Sequence, residues 1–325
     1  MRIVAIVAAE NCLSSVVYGV QDIFAIANEF MEASDAYGPE DLFRPVIVGT
    51  DKTVTSFSNV ALHTNLKIDE VKEAEFIIVT PIGKNLQATV QQSTAITNWL
   101  GNMAQHNARL CGICTGVFLL AATGLLDGKQ ATTNPNRATQ FHKHYPTVDL
   151  QVNRLITDSG DILCCGATYA FVDLIIYLIE KECGSDIAIQ CARNLVTDKN
   201  RTDQRPYIPF QPKQFHHDKV VRAVQERIHE NYQLPLPLGE LASAVGVSMR
   251  NLTRRFKVAT DQTPKAYLQA VRIDKTREML EMTDESFENI TVAVGYEDVR
   301  SFGRLFAKKT GLSPKVYRER FQTRR

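Results

Sequence analysis

One helix-turn-helix pattern occurs twice in the last third of this chain of 325 residues. The copies occupy residues 241–256 and 290–306, and the turn glycine, the final phenylalanine and a following proline recur 49, 50 and 50 residues apart. A repeat of this length also occurs in solenoids, but a solenoid needs several copies to bury a core and this chain has two. The repeat therefore predicts a pair of small helical modules.

Each copy has the residues that a tight turn between two helices needs. Gly246 and Gly295 can adopt a positive φ, and Ser248 can cap the helix that follows the first turn. In that following helix, apolar side chains four residues apart point inward; the pairs are Leu252 with Phe256 and Phe302 with Phe306. The opposite side is basic and carries Arg250, Thr253, Arg254 and Lys257 in the first copy, and Arg300, Arg304 and Lys308 in the second. Arginine forks match guanine edges in the major groove and lysines match phosphates, so this face indicates contact with double-stranded DNA.

A single helix is predicted between the copies, from Pro264 to about Met282. Proline suits the first turn of a helix, and no glycine or second proline interrupts the segment. As a helix, these residues span about 28 Å, which approaches the ~34 Å between successive major-groove faces on one side of a duplex. A rigid connection of this length would let one protomer read two adjacent grooves.

Residues 218–321 resemble the AraC-type helix-turn-helix domain. The resemblance is carried mainly by the second copy, from Gly295-Tyr-Glu-Asp through Gly311-Leu-Ser-Pro to Tyr317. It implies base contacts, in a promoter or operator, from Arg250, Thr253 and Arg254 in the first module and from Val299, Arg300 and Arg304 in the second. Met249 stands where the family often has proline, and Val299 offers only a methyl contact, so the bases that are read stay open.

Charge divides the chain in two. Residues 216–325 carry 20 Lys and Arg against 14 Asp and Glu, a net charge of +6, whereas the rest of the chain has a net charge of −5. The overall charge of +1 therefore conceals a basic module joined to an acidic one. The basic module predicts salt-sensitive affinity for DNA.

Composition predicts a cytoplasmic protein of two folded domains. The chain is 44% hydrophobic and 22% charged, begins with a strand-like segment instead of a leader peptide, and has no apolar run near ~20 residues, so no membrane span is expected. Its seven cysteines, at irregular spacing, predict reduced thiols. Cys111 and Cys114 form one Cys-x-x-Cys pair without a second pair at zinc spacing, so no metal and no other cofactor is expected.

A proline-containing segment predicts the domain boundary. Pro206, Pro209 and Pro212 break the periodicity, and the sequence predicts domains at 1–200 and 217–325 joined by a linker at 201–216. Before the linker, strands are predicted at 3–8, 43–48, 76–80 and 109–113, and helices at about 16–32, 94–106, 117–125 and 167–182. This alternation predicts an α/β domain with a flavodoxin-like, mostly parallel sheet sandwiched by helices, followed by an all-α domain with two helix-turn-helix motifs.

One strand runs directly through a cysteine into a helix, at Leu110-Cys-Gly-Ile-Cys114-Thr-Gly116. Such a sharp turn presents its central residue beyond the carboxyl end of the strand, where ligands of parallel sheets gather, so Cys114 is expected to be exposed and reactive. With residues 124–133 after it, this segment resembles the PfpI-like, class I glutamine amidotransferase-like superfamily. Together with the AraC-type tail, the whole chain resembles the GlxA family of transcriptional regulators.

The resemblance suggests a ligand pocket at Cys114, Thr115, Ile82 and Gly83 without a complete catalytic site. Asn134 stands where family members often carry histidine, Val16 falls near the position of the usual acidic residue, and Pro81-Ile-Gly83 departs from the Pro-Gly-Gly turn that helps to form an oxyanion site. Two further histidines, His142 and His144, are expected on the surface. A cysteine nucleophile needs a base, so the domain is predicted to be non-catalytic.

We therefore expect a homodimeric, DNA-binding transcriptional regulator whose first domain senses a small metabolite. Activation is the commonest mode of regulation in the family that the chain resembles, so an activator is expected. The resemblance implies an amino acid, an amine or a quaternary ammonium compound as effector, and RNA polymerase as a further partner. Two alternatives stay open. The first domain could keep a Cys114-dependent hydrolase or amidase activity with a base that sequence order does not reveal, or Cys114 could be only a small residue packed at a tight turn.

Overall fold

The computed structural model describes residues 1–83, 85–198, 201–208, 210, 212 and 216–323. The chain forms two compact units, Met1–Gln204 and Arg205–Arg325. The first unit combines strands with helices, and the second unit is helical.

Strands and helices alternate along the first unit. Its strands are β1 (Arg2–Val7), β2 (Phe43–Gly49), β3 (Thr53–Thr55), β4 (Ala61–His63), β5 (Leu66–Lys67), β6 (Phe76–Val79), β7 (Arg109–Ile113), β8 (Gln130–Ala131), β9 (Asp149–Leu150), β10 (Ile156–Asp158) and β11 (Ile162–Cys165). Its helices are α1 (Ser14–Glu32), α2 (Leu86–Gln92), α3 (Thr94–Gln105), α4 (Val117–Ala121), α5 (Ala138–His144) and α6 (Phe171–Asn194).

Among the described strands, seven form one sheet in the order β10-β11-β7-β6-β1-β2-β5. Neighbours in this sheet are parallel, except that β10 is antiparallel to β11. Successive residues of a strand point to opposite faces. Val4 and Ile6 of β1 therefore lie in one core with α1 and α6, while Ala5 and Val7 lie in a second core with α3, α4 and α5. Helices cover both faces of the sheet, as the alternating pattern predicted.

Every strand and helix predicted for this unit has a counterpart in the structure, although two helices differ in length. Helix α4 ends at Ala121, four residues before its predicted end, and the chain then turns through Gly124, which has a φ of 80°. Helix α6 runs on to Asn194, past a non-helical Gly184 with φ 81° and ψ 170°. The longer α6 adds Ile187, Ala188 and Cys191 to the core that it shares with α1.

The first residues of the segment predicted as a linker are held by the first unit. In the first unit, the Leu155 N–H donates to the Thr202 carbonyl at 2.9 Å, and the Arg201 guanidinium binds the Asp173 carboxylate. The side chain of Gln204, which is 1% exposed, donates to the Thr132 hydroxyl at 3.2 Å and to the Val152 carbonyl at 2.5 Å. Residues 209, 211 and 213–215 of the segment lie outside the described residues, and the predicted domain limits stay a prediction.

The second unit contains α7 (Lys219–Asn231), α8 (Leu238–Ala244), α9 (Met249–Thr260), α10 (Pro264–Met282), α11 (Phe287–Ala293), α12 (Val299–Thr310) and α13 (Pro314–Phe321). The pairs α8–α9 and α11–α12 are the two helix-turn-helix motifs, so the predicted fold class is confirmed. Helix α10 has the predicted bounds because Thr263 caps it, accepting from the Ala266 N–H at 3.2 Å, and proline occupies its first position.

The described part of the chain has neither a helix that could span a membrane nor a cluster of metal-binding side chains. No helix in this part of the chain is long and apolar enough to cross a membrane. No group of three or more His, Cys, Asp or Glu side chains in it could hold a metal ion.

Candidate functional site

The first helix-turn-helix presents helix α9 as an exposed basic surface on a fixed core. Gly246 makes the turn at φ 67°, and the Ser248 hydroxyl caps α9 by accepting from the Asn251 N–H at 3.3 Å. Leu252 and Phe256 are fully buried, which turns the opposite side of the helix outward. The local signals in the sequence therefore produce the predicted geometry.

The four residues predicted to contact DNA lie on this outward side of α9. Arg250, Arg254 and Lys257 are exposed, and Thr253 is half-buried. The Thr253 hydroxyl donates to the Met249 carbonyl at 2.9 Å, so its methyl group is the part left for an apolar contact. Arg254 donates to the Asn251 side-chain oxygen at 3.3 Å, which orients its guanidinium along the helix.

The second helix-turn-helix has the same construction around helix α12. Gly295 makes the turn at φ 83°, and the Asp298 carboxylate accepts from the N–H groups of Arg300 and Ser301 at 3.0 and 3.1 Å. The inward pair, Phe302 and Phe306, is fully buried. Of the predicted contact residues, Arg300, Arg304 and Lys308 are exposed and Val299 is half-buried.

One basic residue of α9 has a structural partner that sequence reasoning missed. Arg255 donates to both carboxylate oxygens of Asp218, at 2.8 and 2.6 Å. Asp218 also caps α7 by accepting from the Val221 N–H at 3.1 Å. The Arg255 guanidinium holds the pKa of this carboxyl below its ordinary value because it stabilises the charged form. Arg255 therefore ties α9 to α7, and the 37 residues that separate the pair explain why no local pattern indicated it.

In the first unit, Cys114 lies at the predicted sharp turn between β7 and α4. Its φ is 54°, a value that non-glycine residues rarely adopt, so the backbone is strained there. A Cβ on Gly116 would overlap the carbonyl oxygen of Thr80, which shows how tightly this turn packs on the end of β6. The Thr133 hydroxyl donates to the Cys114 carbonyl at 2.7 Å and fixes the turn from the other side.

The expectation that Cys114 is exposed is wrong, because the residue is 1% exposed. Its sulfur lies 3.3 Å from the Asn134 Nδ2, which donates to it, and 3.5 Å from the Thr168 hydroxyl. These side chains reach the sulfur from segments 20 and 54 residues further along the chain. A sequence pattern confined to the strand and helix around the cysteine could not reveal that these distant side chains bury the sulfur.

The other residues predicted for a ligand pocket lie beside Cys114. The Thr115 hydroxyl donates to the Ile82 carbonyl at 2.7 Å and accepts from the Ile82 N–H at 3.0 Å. The Gly83 N–H donates to the Asn11 carbonyl at 2.8 Å, and a Cβ on Gly83 would overlap the Phe57 ring. The carboxyl ends of β6 and β7 thus bring the four predicted residues together, and the N–H groups of Ile82 and Gly83 already have acceptors inside the protein.

The structure also shows where the residues considered as catalytic partners of Cys114 lie. Asn134 contacts the sulfur through its amide donor, and Val16 is fully buried in the same core as Cys114. His142 and His144 are exposed on α5, as predicted. Among the described residues, the side-chain partners recorded for the Cys114 sulfur are an amide and a hydroxyl, and neither group takes up a proton at neutral pH.

Two family models match the chain, one in each unit. The model of the DJ-1/PfpI family matches residues 23–171, and a model of a helix-turn-helix domain matches residues 241–320. Among solved structures, a putative transcriptional regulator protein from Vibrio parahaemolyticus has a TM-score of 0.53 and 17% identity, over 60% of this chain and 98% of that one. Drosophila melanogaster DJ-1beta has a TM-score of 0.51 and 12% identity, over 61% of this chain and 98% of that one. At these identities the structures show the fold.

Curated relatives match across both units. The HTH-type transcriptional regulator CdhR of Pseudomonas aeruginosa is 28% identical over 287 residues, which are 84% of this chain and 81% of CdhR. The HTH-type transcriptional regulator GlxA of Rhizobium meliloti is 25% identical over 69% of this chain and 72% of GlxA. The fold, the duplicated helix-turn-helix and these matches define a transcriptional regulator. More particularly, its first unit matches the DJ-1/PfpI family model, its second unit matches a helix-turn-helix model, and over most of its length it is similar to the regulators GlxA and CdhR.

Proposed function

We propose that the protein reads double-stranded DNA with helices α9 and α12, one in each of two adjacent major grooves. The observation that carries this proposal is the repeated geometry. In each module a capped helix buries an apolar pair on one side and exposes arginines and a lysine on the other. The arginines suit guanine edges, the lysines suit phosphates, and the length of the 19-residue helix α10 approaches the span between grooves.

Alanine substitution of one arginine in each recognition helix tests the proposal. DNA is first selected from a random pool by the full-length wild-type protein. On that DNA, Arg254→Ala and Arg304→Ala should each lose about 1–3 kcal/mol of binding free energy and relax the base preference at one position. Lys315→Ala is the control, because the 87% exposed Lys315 side chain lies on α13 and outside both predicted faces. Equal losses on selected and random DNA would reject base reading by these arginines.

We propose further that the first unit senses a small-molecule effector at Cys114 and that the protein works as a homodimer. Support comes from the position of Cys114, beyond the carboxyl ends of adjacent parallel strands, where such sheets bind ligands. The Asn134 amide, the Thr168 hydroxyl and the thiol form a small polar group that an amino acid or amine could bind. DNA-bound dimers of this kind would act as activators through RNA polymerase.

We propose that this site binds its ligand without turning it over. The partners of the sulfur are a donor amide and a hydroxyl, so the described residues place no base beside the thiol to activate it. The alternative is a Cys114-dependent hydrolase or amidase. The strained backbone at Cys114 favours this alternative, because strain of this kind often occurs at catalytic residues.

Thermal unfolding of the full-length protein with candidate effectors distinguishes a non-catalytic sensor from a hydrolase. A ligand at a hundred times its dissociation constant should stabilise the protein by about 2.7 kcal/mol. We expect a stabilising compound among amino acids, amines and betaines, with its effect lost in Cys114→Ala and kept in Cys183→Ala, which changes a buried cysteine on α6. Turnover of the compound that disappears in Cys114→Ser would instead support the hydrolase. A stabilising effect that survives Cys114→Ala would remove Cys114 from the site.

A further inference from the structure

Helix α10 carries a buried arginine that joins the two helix-turn-helix modules. Arg272 is 8% exposed, and its guanidinium donates to three backbone carbonyls. Two belong to the segment that follows α7 in the first module, Tyr232 at 2.7 Å and Leu234 at 2.9 Å. The third is the carbonyl of Gly295, at 3.0 Å, in the turn of the second module. One side chain therefore holds parts of both modules at once.

The same guanidinium is also connected to the core beneath the second recognition helix. It lies 4.9 Å from the centroid of the Tyr296 ring. Tyr296 stacks on Phe302 of α12, with ring centroids 4.2 Å apart and an interplanar angle of 25°. A change in the position of Arg272 would therefore displace a ring on which α12 rests.

The two modules also approach closely at the turn glycine. A Cβ on Gly295 would overlap the carbonyl oxygen of Gln233, a residue of the first module. Gly246, the equivalent residue of the first turn, has nothing within 4 Å of such a Cβ. The turn of the second module is thus in contact with the first, whereas the first turn is open.

We propose that Arg272 is a positioning residue that sets which spacing of two half-sites the protein accepts. This inference rests on the proposed reading of two grooves by α9 and α12. One extra base pair moves the second half-site by ~3.4 Å and rotates it by ~35°. A single connecting helix would let the modules rock about its ends, but hydrogen bonds from a buried cation to both modules oppose that motion. Rejection of a wrong spacing between half-sites therefore depends on the hydrogen bonds of Arg272 to both modules as well as on the length of α10.

The same helix supplies a matched control. Arg277 is also 8% exposed, and its guanidinium donates to the carbonyls of Arg205 and Ile208 and lies 5.8 Å from the centroid of the Tyr317 ring. Its partners are the segment before α7 and helix α13, and they do not include the Gly295 turn. Replacing Arg277 removes a buried guanidinium from α10 and leaves the hydrogen bonds of Arg272 to both modules in place.

The experiment compares Arg272→Met, Arg277→Met and wild-type full-length protein on three duplexes. The first is a site selected by the wild type from a random pool, the second has one base pair inserted between its half-sites, and the third has one half-site scrambled. We expect the insertion to weaken wild-type binding about tenfold or more, as a mismatched site would. Arg272→Met should reduce this penalty to about threefold or less and leave binding to the single intact half-site within about twofold of wild type. Arg277→Met should keep the wild-type penalty.

Each other outcome overturns a specific claim. A wild-type penalty retained in a folded Arg272→Met protein overturns the role of Arg272. If the wild type ignores the insertion and the scrambled half-site, two-groove reading itself fails, and this inference falls with it. If circular dichroism shows that Arg272→Met is unfolded, Arg272→Lys replaces it, since the lysine ammonium keeps the charge but lacks the planar fork that reaches all three carbonyls. A folded Arg272→Lys protein should also show a reduced penalty, and an unchanged penalty overturns the proposal.

Discussion

At the scale of single residues, the cysteines of the first unit share one property, which is burial of the thiol. All seven cysteines are free and buried. Burial raises the pKa of Cys12 and of Cys164 to about 12, and that of Cys183 and Cys191 to about 11, because a thiolate loses its hydration there. These four thiols stay protonated and pack as small apolar groups. The Cys114 sulfur lies beside the Asn134 side-chain amide, which donates to it, and the Thr168 hydroxyl.

His229 on α7 should make the second unit sensitive to mild acid. Burial, reinforced by nearby Lys275, lowers its pKa from the ordinary 6.5, and its Nε2 lies 2.9 Å from the Tyr267 hydroxyl. The folded state therefore favours the neutral ring. Its contribution to stability is complete above about pH 6.5 and is lost as the pH falls through the lowered pKa, because the unfolded chain binds the proton more readily.

Urea unfolding between pH 7.5 and 5 measures this effect on the full-length protein. His229→Gln should flatten the pH dependence of the second unit's unfolding free energy, and His217→Gln, which changes an exposed histidine, should leave it as in the wild type. Identical slopes in wild type and His229→Gln would show that other groups cause the acid sensitivity.

At the scale of elements, the two interhelical turns should respond differently to the same substitution. Gly246→Ala places an alanine at φ 67° in open space, so only backbone strain of about 1 kcal/mol is expected. Gly295→Ala adds an overlap with the Gln233 carbonyl oxygen to the same strain, and should cost roughly 2 kcal/mol more. Denaturant unfolding monitored on the second unit checks the order, and equal losses would contradict the close approach at Gly295.

Elements with local signals were predictable from the sequence, and contacts between distant segments were not. The bounds of α10 follow from Pro264 and from a long segment without glycine, and the caps and turn glycines define both helix-turn-helix motifs. Arg272 carried no such signal, because its carbonyl partners lie 40, 38 and 23 residues away. The covered sulfur of Cys114 was missed for the same reason. Periodicity shows which face of a helix is buried but not which distant backbone will meet it.

At the scale of the whole molecule, separate cores predict separate unfolding. Phe24 is fully buried on α1 of the first unit, and Phe302 is fully buried on α12 of the second. Phe→Ala at either position should cost about 3–5 kcal/mol. In calorimetry of the full-length protein, Phe24→Ala should lower the midpoint temperature of one unfolding transition and Phe302→Ala that of another. A common shift of both transitions by either change would show that the units unfold as one.

The anchoring of Gln204 has a consequence for the reach of the DNA-binding unit. Gln204 is the last residue of the first unit and Arg205, which donates to the Lys308 carbonyl at 2.8 Å, begins the second, so a single peptide bond separates the two anchored residues. Thr132, which accepts from the Gln204 amide, is two residues before Asn134, the partner of the Cys114 sulfur. Releasing residues 201–204 would add up to about 14 Å of free chain to the tether. In a dimer, a longer tether lowers the local concentration of the second DNA-binding unit once the first is bound. In the proposed homodimer, the hydrogen bonds of one buried amide would thus set the length of the tether and, with it, the avidity for paired sites.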